Sequence, residues 1–312
     1  MNAVHHDHHP AASDIRGSGH ARERKLLLAF GLTAGMMVVE ALGGWWSGSL
    51  ALLADAGHML VDAVALLLAW GGAWLATRPA DARRSYGYGR MEVLAGFVNA
   101  LSQLLLVGWI IYEAVSRIRN PHAILPGLML VVACAGLLVN AIVLRMLHGH
   151  AHDDVNMAGA ALHVAGDLLG SLAAIAAALL IWRFGWLWAD PLLSILVALL
   201  ILVSAWRLLR RSTHILLEGV PDGMDSLEVA AALRAADAAI AGIHHLHVWQ
   251  LASGSRMATL HATLLTGADS AAAMRAIHAI LRERFGIEHV TVQVDAADCP
   301  DGSTDCLGGP SH

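Results

Sequence analysis

Six apolar runs, 25–46, 49–76, 91–117, 125–147, 157–183 and 189–209, fill most of the first two thirds of this 312-residue chain. Each reaches the roughly 20 residues that a helix needs to cross a hydrocarbon core of about 30 Å. Inside a bilayer only a helix or a closed barrel satisfies its own backbone polar groups, and runs this long and continuous predict six transmembrane helices. Charged residues make up 14% of the chain and hydrophobic ones 57%. A soluble domain carries nearer about a quarter charged residues, so the chain is read as an integral membrane protein. The N-terminus is polar and His-rich, and the first run is long enough to stay as a span, so no cleavable signal is expected.

Basic residues orient the spans. Twelve Lys/Arg (Arg16, Arg22, Arg24, Lys25, Arg78, Arg83, Arg84, Arg90, Arg145, Arg207, Arg210 and Arg211) fall on one side, against Arg117, Arg119 and Arg183 on the other. The positive-inside rule then puts both termini in the cytoplasm. Trp45, Trp46, Trp182, Trp186 and Trp188 gather at the opposite interface, where amphipathic rings anchor spans.

Charge also divides the chain. Residues before Thr213 hold 15 Lys/Arg against 13 Asp/Glu, and those from Thr213 onward hold 5 against 12. The expected organisation is a His-rich disordered cytoplasmic tail at 1–24, a six-helix membrane domain at 25–212, a small cytoplasmic domain at 213–298 and a Cys-containing tail at 299–312. In the soluble part, 225–240 and 270–285 read as helices, and 243–251, 256–265 and 287–295 as strands. The order αββαβ gives a small α+β domain whose sheet is covered on one face. No basic face suggests a nucleic-acid partner. Three cysteines, Cys134, Cys299 and Cys306, do not describe a disulfide scaffold.

Ionisable residues within the spans are costly and mark a functional site. The second run carries His58 and Asp62, four apart on one helix face. The fifth carries His163 and Asp167 at the same spacing. Counting a rise of 1.5 Å per residue from each end puts His58 and Asp62 roughly 14 and 20 Å from the outer edge, and Asp167 and His163 roughly 15 and 21 Å. Two imidazoles and two carboxylates at one depth make a four-ligand set suited to tetrahedral Zn2+; two unrelated polar pairs would be the plain alternative. Asp55, one turn outward of His58, could orient it or line an exit path. Glu40, Asn99, Gln103 and Asn140 are the other polar groups in the spans, a helix–helix hydrogen bond being at least as good a reading for the Asn and Gln. Gly57 and Gly166 beside the ligands would let two helices approach closely.

A second cluster lies in the soluble part. His244, His245 and His247 open its first strand, His261 lies in the second, Asp295 ends the third, and Cys299 and Cys306 follow. Thiolates, imidazoles and a carboxylate form a plausible zinc set, with core histidines and inert thiols as the alternative. The tail histidines His5, His6, His8, His9 and His20 and the loop His148-Gly-His-Ala-His-Asp-Asp154 could gather metal loosely or be solvated segments.

The paired His-x3-Asp spans, the segments 50–62 (LALLADAGHMLVD), 161–171 (ALHVAGDLLGS), 190–209 and 244–249 (HHLHVW), and the αββαβ tail together resemble the cation diffusion facilitator family, in its bacterial zinc-exporting branch. The resemblance covers essentially the whole chain. It implies a homodimer that exports Zn2+ from the cytoplasm in exchange for protons, in an expected bacterial inner membrane, with Cd2+ or Co2+ left open as alternative cargo. It implies His58, Asp62, His163 and Asp167 as the transport site. It also implies a cytoplasmic metal site at His244, His261 and Asp295, with Cys299 and Cys306 as in the eukaryotic zinc transporters. Some members carry a further His two residues before the acid; this chain has Gln293 there. An intramembrane zinc enzyme is a competing class, but catalytic zinc keeps a position open for water beside a separate general base. A membrane-anchored metal sensor, the other competitor, would need one span rather than six.

Overall fold

The structure, a computed structural model, describes the backbone of residues 12–148, 155–252 and 254–295, and the side chains of 28–146, 166–252 and 254–295. Six long helices come first: α1 (Ala12–Ser47), α2 (Leu50–Ala76), α3 (Arg90–Arg119), α4 (Pro126–His148), α5 (Val155–Phe184) and α6 (Ala189–Leu216). All six contain stretches long and apolar enough to span a membrane. The architecture is therefore the membrane α-helical class followed by a small α+β domain, as the runs predict. Apolarity locates spans rather than helix ends: α1 begins within the polar stretch assigned to the tail, and α6 continues past its apolar run through Arg210 and Arg211. Alanine, arginine and glutamate favour helix whether or not lipid surrounds them.

Contacts group the chain into two units, Met1–Ala63 with Ser102–Ser204, and Val64–Leu101 with Ala205–His312. In the first, α1, α4 and α5 pack through small side chains. Ala133, Ala174, Ala177 and Ala178 are buried among Met36, Leu52 and Met129. A Cβ added at Gly43 would come within 2.7 Å of Val132. Close backbone approach of this kind is how helices associate where lipid offers no hydrophobic drive.

The start of α2 is held by a residue far away in sequence. Asp190, fully buried in the first turn of α6, accepts hydrogen bonds from Ser49 Oγ (2.7 Å), Leu50 N (2.7 Å) and Ala51 N (3.1 Å). It thus caps N–H groups that no preceding turn can satisfy. Gly48 turns the chain at φ +74°, where a Cβ would meet the Ala123 carbonyl, and Arg117 donates to the Gly48 carbonyl. Asp190→Ala is expected to cost about 2 kcal/mol by stranding buried donors, read as a lower melting temperature in detergent. Asp190→Asn should fall between, and an unchanged melting temperature for the alanine variant would remove the cap from the account.

The small domain holds α7 (Ser226–Arg234), β1 (Ile240–Ala252), β2 (Ser255–Leu264), α8 (Ser270–Phe285) and β3 (His289–Asp295). The sheet order is β1-β2-β3, with β1–β2 antiparallel and β2–β3 parallel. Val229 and Leu233 of α7 and Ile277 and Leu281 of α8 bury against Ile243, Val248 and Leu260, covering one face of the sheet. Asp225 and Asp269 cap the two helices, and Gly286 ends α8 at φ +63°. The first helix is shorter than the expected 225–240. It stops at Arg234, and Asp237 accepts the N–H of Ala239 in a tight turn before β1. A run of alanines carries no periodicity to reveal that end.

Candidate metal centres

On α2, one helical turn separates His58 from Asp62, and His58 Nε2 lies 3.3 Å from Asp62 Oδ2. The other oxygen is committed elsewhere: Asp62 Oδ1 accepts a 2.8 Å hydrogen bond from the buried amide of Gln103 on α3. The two side chains are only partly exposed, 18% and 15%. Gln103 therefore does more than join two helices; it fixes the rotamer of a candidate ligand, as outer-shell partners of metal sites do.

Asp167 is buried on α5. It does not complete a cluster of three ligand atoms with His58 and Asp62 among the described residues. The side chain of His163, one turn earlier on α5, lies outside the described residues. The two helices nevertheless meet at a defined level. A Cβ on Gly170 of α5 would sit 3.0 Å from Asp55 Oδ1 of α2. Successive spans alternate in direction, so α2 and α5 run antiparallel. His58 follows Asp55 by about one turn on α2, and Asp167 precedes Gly170 by about one turn on α5. Gly170 makes this close approach. Gly166, expected to do so, would meet nothing within 4 Å among the described residues, and Gly57 packs on Leu106 of α3.

Further buried polar groups lie in the same unit. A Cβ on Gly136 of α4 would collide with Glu40 Oε1 of α1 and lie 3.3 Å from Ser171 Oγ of α5. Glu40, Asn140 and Ser171 are each buried, and their side-chain oxygens have no hydrogen-bond partner among the described residues.

The second candidate centre is assembled by three strands. His244 on β1 and His261 on β2 are register partners, and Asp295 ends β3 beside Thr263. His244 Nε2 lies 3.0 Å and His261 Nδ1 3.2 Å from the same oxygen, Asp295 Oδ2. The three ligand atoms lie within 4.8 Å of one another, a set able to hold one metal ion. Two imidazoles and a carboxylate suit zinc. Burial pushes the Asp295 carboxyl up, but the Gln293 amide at 3.1 Å and the two histidines outweigh it and hold it below the usual carboxylate range. Gln293 here braces Asp295.

Strand β1 bulges at this point. His244 and His247 are three apart, while their partners His261 and Thr259 are two apart, so one residue is extra. His245 takes up the strain at φ +50° and stacks on His261 at 4.7 Å. A cavity of about 290 Å3 opens beside His245, His247, His261 and Gln293. Cys299 and Cys306, the tail histidines His5, His6, His8 and His9, and the loop 149–154 lie outside the described residues, as do the side chains of His20 and His148.

Comparison with known proteins gives these centres a context. The family model described as "Cation efflux transmembrane domain" matches residues 26–217, and that described as "Cation efflux protein, cytoplasmic domain" matches residues 221–297. The chain is 44% identical over 313 residues to the "Zinc transporter ZitB" of Escherichia coli, covering 98% of each chain. It is 41% identical to the "Cadmium, cobalt and zinc/H(+)-K(+) antiporter" of Bacillus subtilis, over 88% of this chain and 89% of that one. With the "Metal cation efflux system protein CzcD" of Cupriavidus metallidurans it shares 39% identity, over 96% and 92%.

Proposed function

The chain belongs to the cation efflux family and is a membrane transporter rather than an enzyme, and on that premise we propose that it exports Zn2+ from the cytoplasm in exchange for protons. The observation that supports this reading is the close approach of α2 and α5 at Asp55 and Gly170, one turn along α2 from the His58–Asp62 pair. The proposed transport ligands are His58, Asp62, His163 and Asp167. Two imidazoles favour zinc over harder ions such as manganese, and the names of the E. coli and B. subtilis relatives agree with zinc, with cadmium and cobalt beside it.

Coupling follows from ligand chemistry. Zinc binds deprotonated side chains, so loading expels the protons that an empty site holds, and release on the far side takes protons back. Rocking of the helices that carry the ligands would open the site to each face in turn. His244, His261 and Asp295 would hold a resident Zn2+ in the cytoplasmic domain, where a metal fixing three strands steadies the domain through which two copies pair. The proposed setting is a homodimer in a bacterial inner membrane, with both termini in the cytoplasm.

The test is zinc flux into inverted membrane vesicles. Interior acid should drive zinc inward against its gradient, and collapsing the proton gradient should abolish uphill uptake. Zinc accumulation indifferent to the proton gradient would overturn the antiport reading while leaving the cargo standing.

A further inference from the structure

The loop joining α2 to α3 holds arginines in place with bonds of its own. Asp81 Oδ1 accepts the N–H groups of Arg83 (2.7 Å) and Arg84 (2.8 Å), and its Oδ2 accepts the Tyr88 hydroxyl (2.8 Å). The backbones of Asp81 and Arg84 bond to each other in both directions, and Gly87 closes the turn at φ +69°. The Tyr88 hydroxyl first, then the Arg83 N–H, hold the Asp81 carboxyl below its ordinary range. Asp81 is thus spent on the loop's own fold.

Beside this turn is a cavity of about 390 Å3 bounded by Arg83, Arg84 and Arg90, with Met91, Trp249 and Leu251 as its apolar wall. Arg84 lies over the Tyr88 ring at 4.7 Å with Nη1 3.3 Å from the hydroxyl. Arg90 Nη2 meets Glu218 at 2.6 Å, yet its Nε is buried with no acceptor among the described residues. Three arginines therefore line one cavity, and Glu218 is the one acidic residue among its lining residues. Planar guanidinium forks match the oxygens of a phosphate, which they can bind in pairs.

We propose that this cavity binds a phosphate-bearing ligand, its phosphate held by Arg83, Arg84 and Arg90 and its carbon portion resting on Met91, Trp249 and Leu251. Two sources supply that chemistry: the headgroup of an anionic phospholipid, or a soluble phosphate ester. Position favours the lipid. The loop connects the ends of two spanning helices, and Arg78 stacks 4.3 Å over Trp74 in the last turns of α2, the level at which aromatic and basic side chains meet headgroups. Trp70 and Trp74 are exposed there, at 71% and 52%. Because Trp249 and Leu251 belong to β1, a ligand in this cavity would join the α2–α3 loop to the sheet of the small domain. The site is independent of which ion the protein carries.

The experiment uses the full-length protein in nanodiscs of phosphatidylcholine alone or mixed with phosphatidylglycerol. Retained phosphatidylglycerol is counted by native mass spectrometry and the melting temperature is followed. Inorganic phosphate and glycerol phosphate are titrated into the phosphatidylcholine discs. Wild type should retain phosphatidylglycerol and melt higher with it. Arg83→Ala/Arg84→Ala should lose retention at least about fivefold, and Arg83→Lys/Arg84→Lys should lie between, keeping charge without the fork. Should the double alanine variant not fold, Arg83→Gln carries the same expectation, since the exposed Arg83 contributes to the loop's bonds only through its backbone N–H. Stabilisation by phosphatidylglycerol alone assigns the site to lipid. An equal shift with glycerol phosphate, lost in the variant, assigns it to a soluble ester. Equal retention and equal melting shifts in wild type and variants overturn the site.

Discussion

Asp62→Asn is expected to lower proton-driven zinc flux by more than about a hundredfold, a loss of roughly 3 kcal/mol or more at 1.4 kcal/mol per tenfold. The amide keeps the volume and can still take the Gln103 hydrogen bond, but it brings no charge to offset dehydration of a divalent ion. Nor does it exchange a proton. Asp167→Asn should behave alike, since its carboxylate is buried on α5. Gln103→Leu provides the graded comparison: the ligand stays and its anchor goes, which should weaken apparent zinc affinity about tenfold while sparing the maximal rate. The measurement is initial zinc flux into inverted vesicles across a range of zinc concentrations, with dimer yield and melting temperature as checks on folding. An Asn variant with full gradient-driven flux would remove that carboxylate from the transport site. If Gln103→Leu instead lost rate and affinity together, Gln103 would be needed for the movement and not merely for the rotamer.

Much of this framework is legible before any coordinates, for reasons that differ from feature to feature. The spans are legible because lipid imposes a length and a composition at once. The His58–Asp62 pair on α2 stands out in the sequence because an ionisable residue in hydrocarbon has no inexpensive structural explanation. The partners of those residues are not. Asp190 reaches the α2 N-terminus from 140 residues away, and nothing local to Asp190 says which N–H groups it will meet. The available hint lies at the other end, since α2 has no acidic residue in its first turn and needs an acceptor from elsewhere. Gln103 reads from sequence as an ordinary helix–helix bond, and only the 2.8 Å contact with Asp62 distinguishes the two roles. Gly166 and Gly170 are equally small and one turn apart, so composition cannot say which one faces Asp55. The β1 bulge is similarly hidden: the strand pattern predicts alternation, whereas the extra residue at His245 breaks it to set His244 and His261 against the same carboxylate.

The cytoplasmic centre is best tested with the transport site disabled, so that its zinc is read apart from the transported ion. In an Asp62→Asn background, titration calorimetry should still register zinc at the His244, His261 and Asp295 set. Adding Asp295→Asn should weaken that binding by more than about a hundredfold, because both imidazoles now face a neutral amide and the single anionic donor among the described ligands is gone. The rise in melting temperature that zinc confers should vanish with it. Cys299→Ser/Cys306→Ser in the same background then decides the ligand count. Structural zinc sites are almost always four-coordinate, and two imidazoles and one carboxylate leave a position to fill. If the thiols fill it, the serine pair weakens zinc binding and lowers the zinc-loaded melting temperature with little change in the metal-free protein. If zinc binds the serine pair as tightly as before, the thiols are no part of the site and the remaining position belongs to another donor. Undiminished zinc binding in the Asp62→Asn/Asp295→Asn protein would mean that the three-strand cluster, despite its 3.0 and 3.2 Å contacts, is a structural polar contact and not a metal centre.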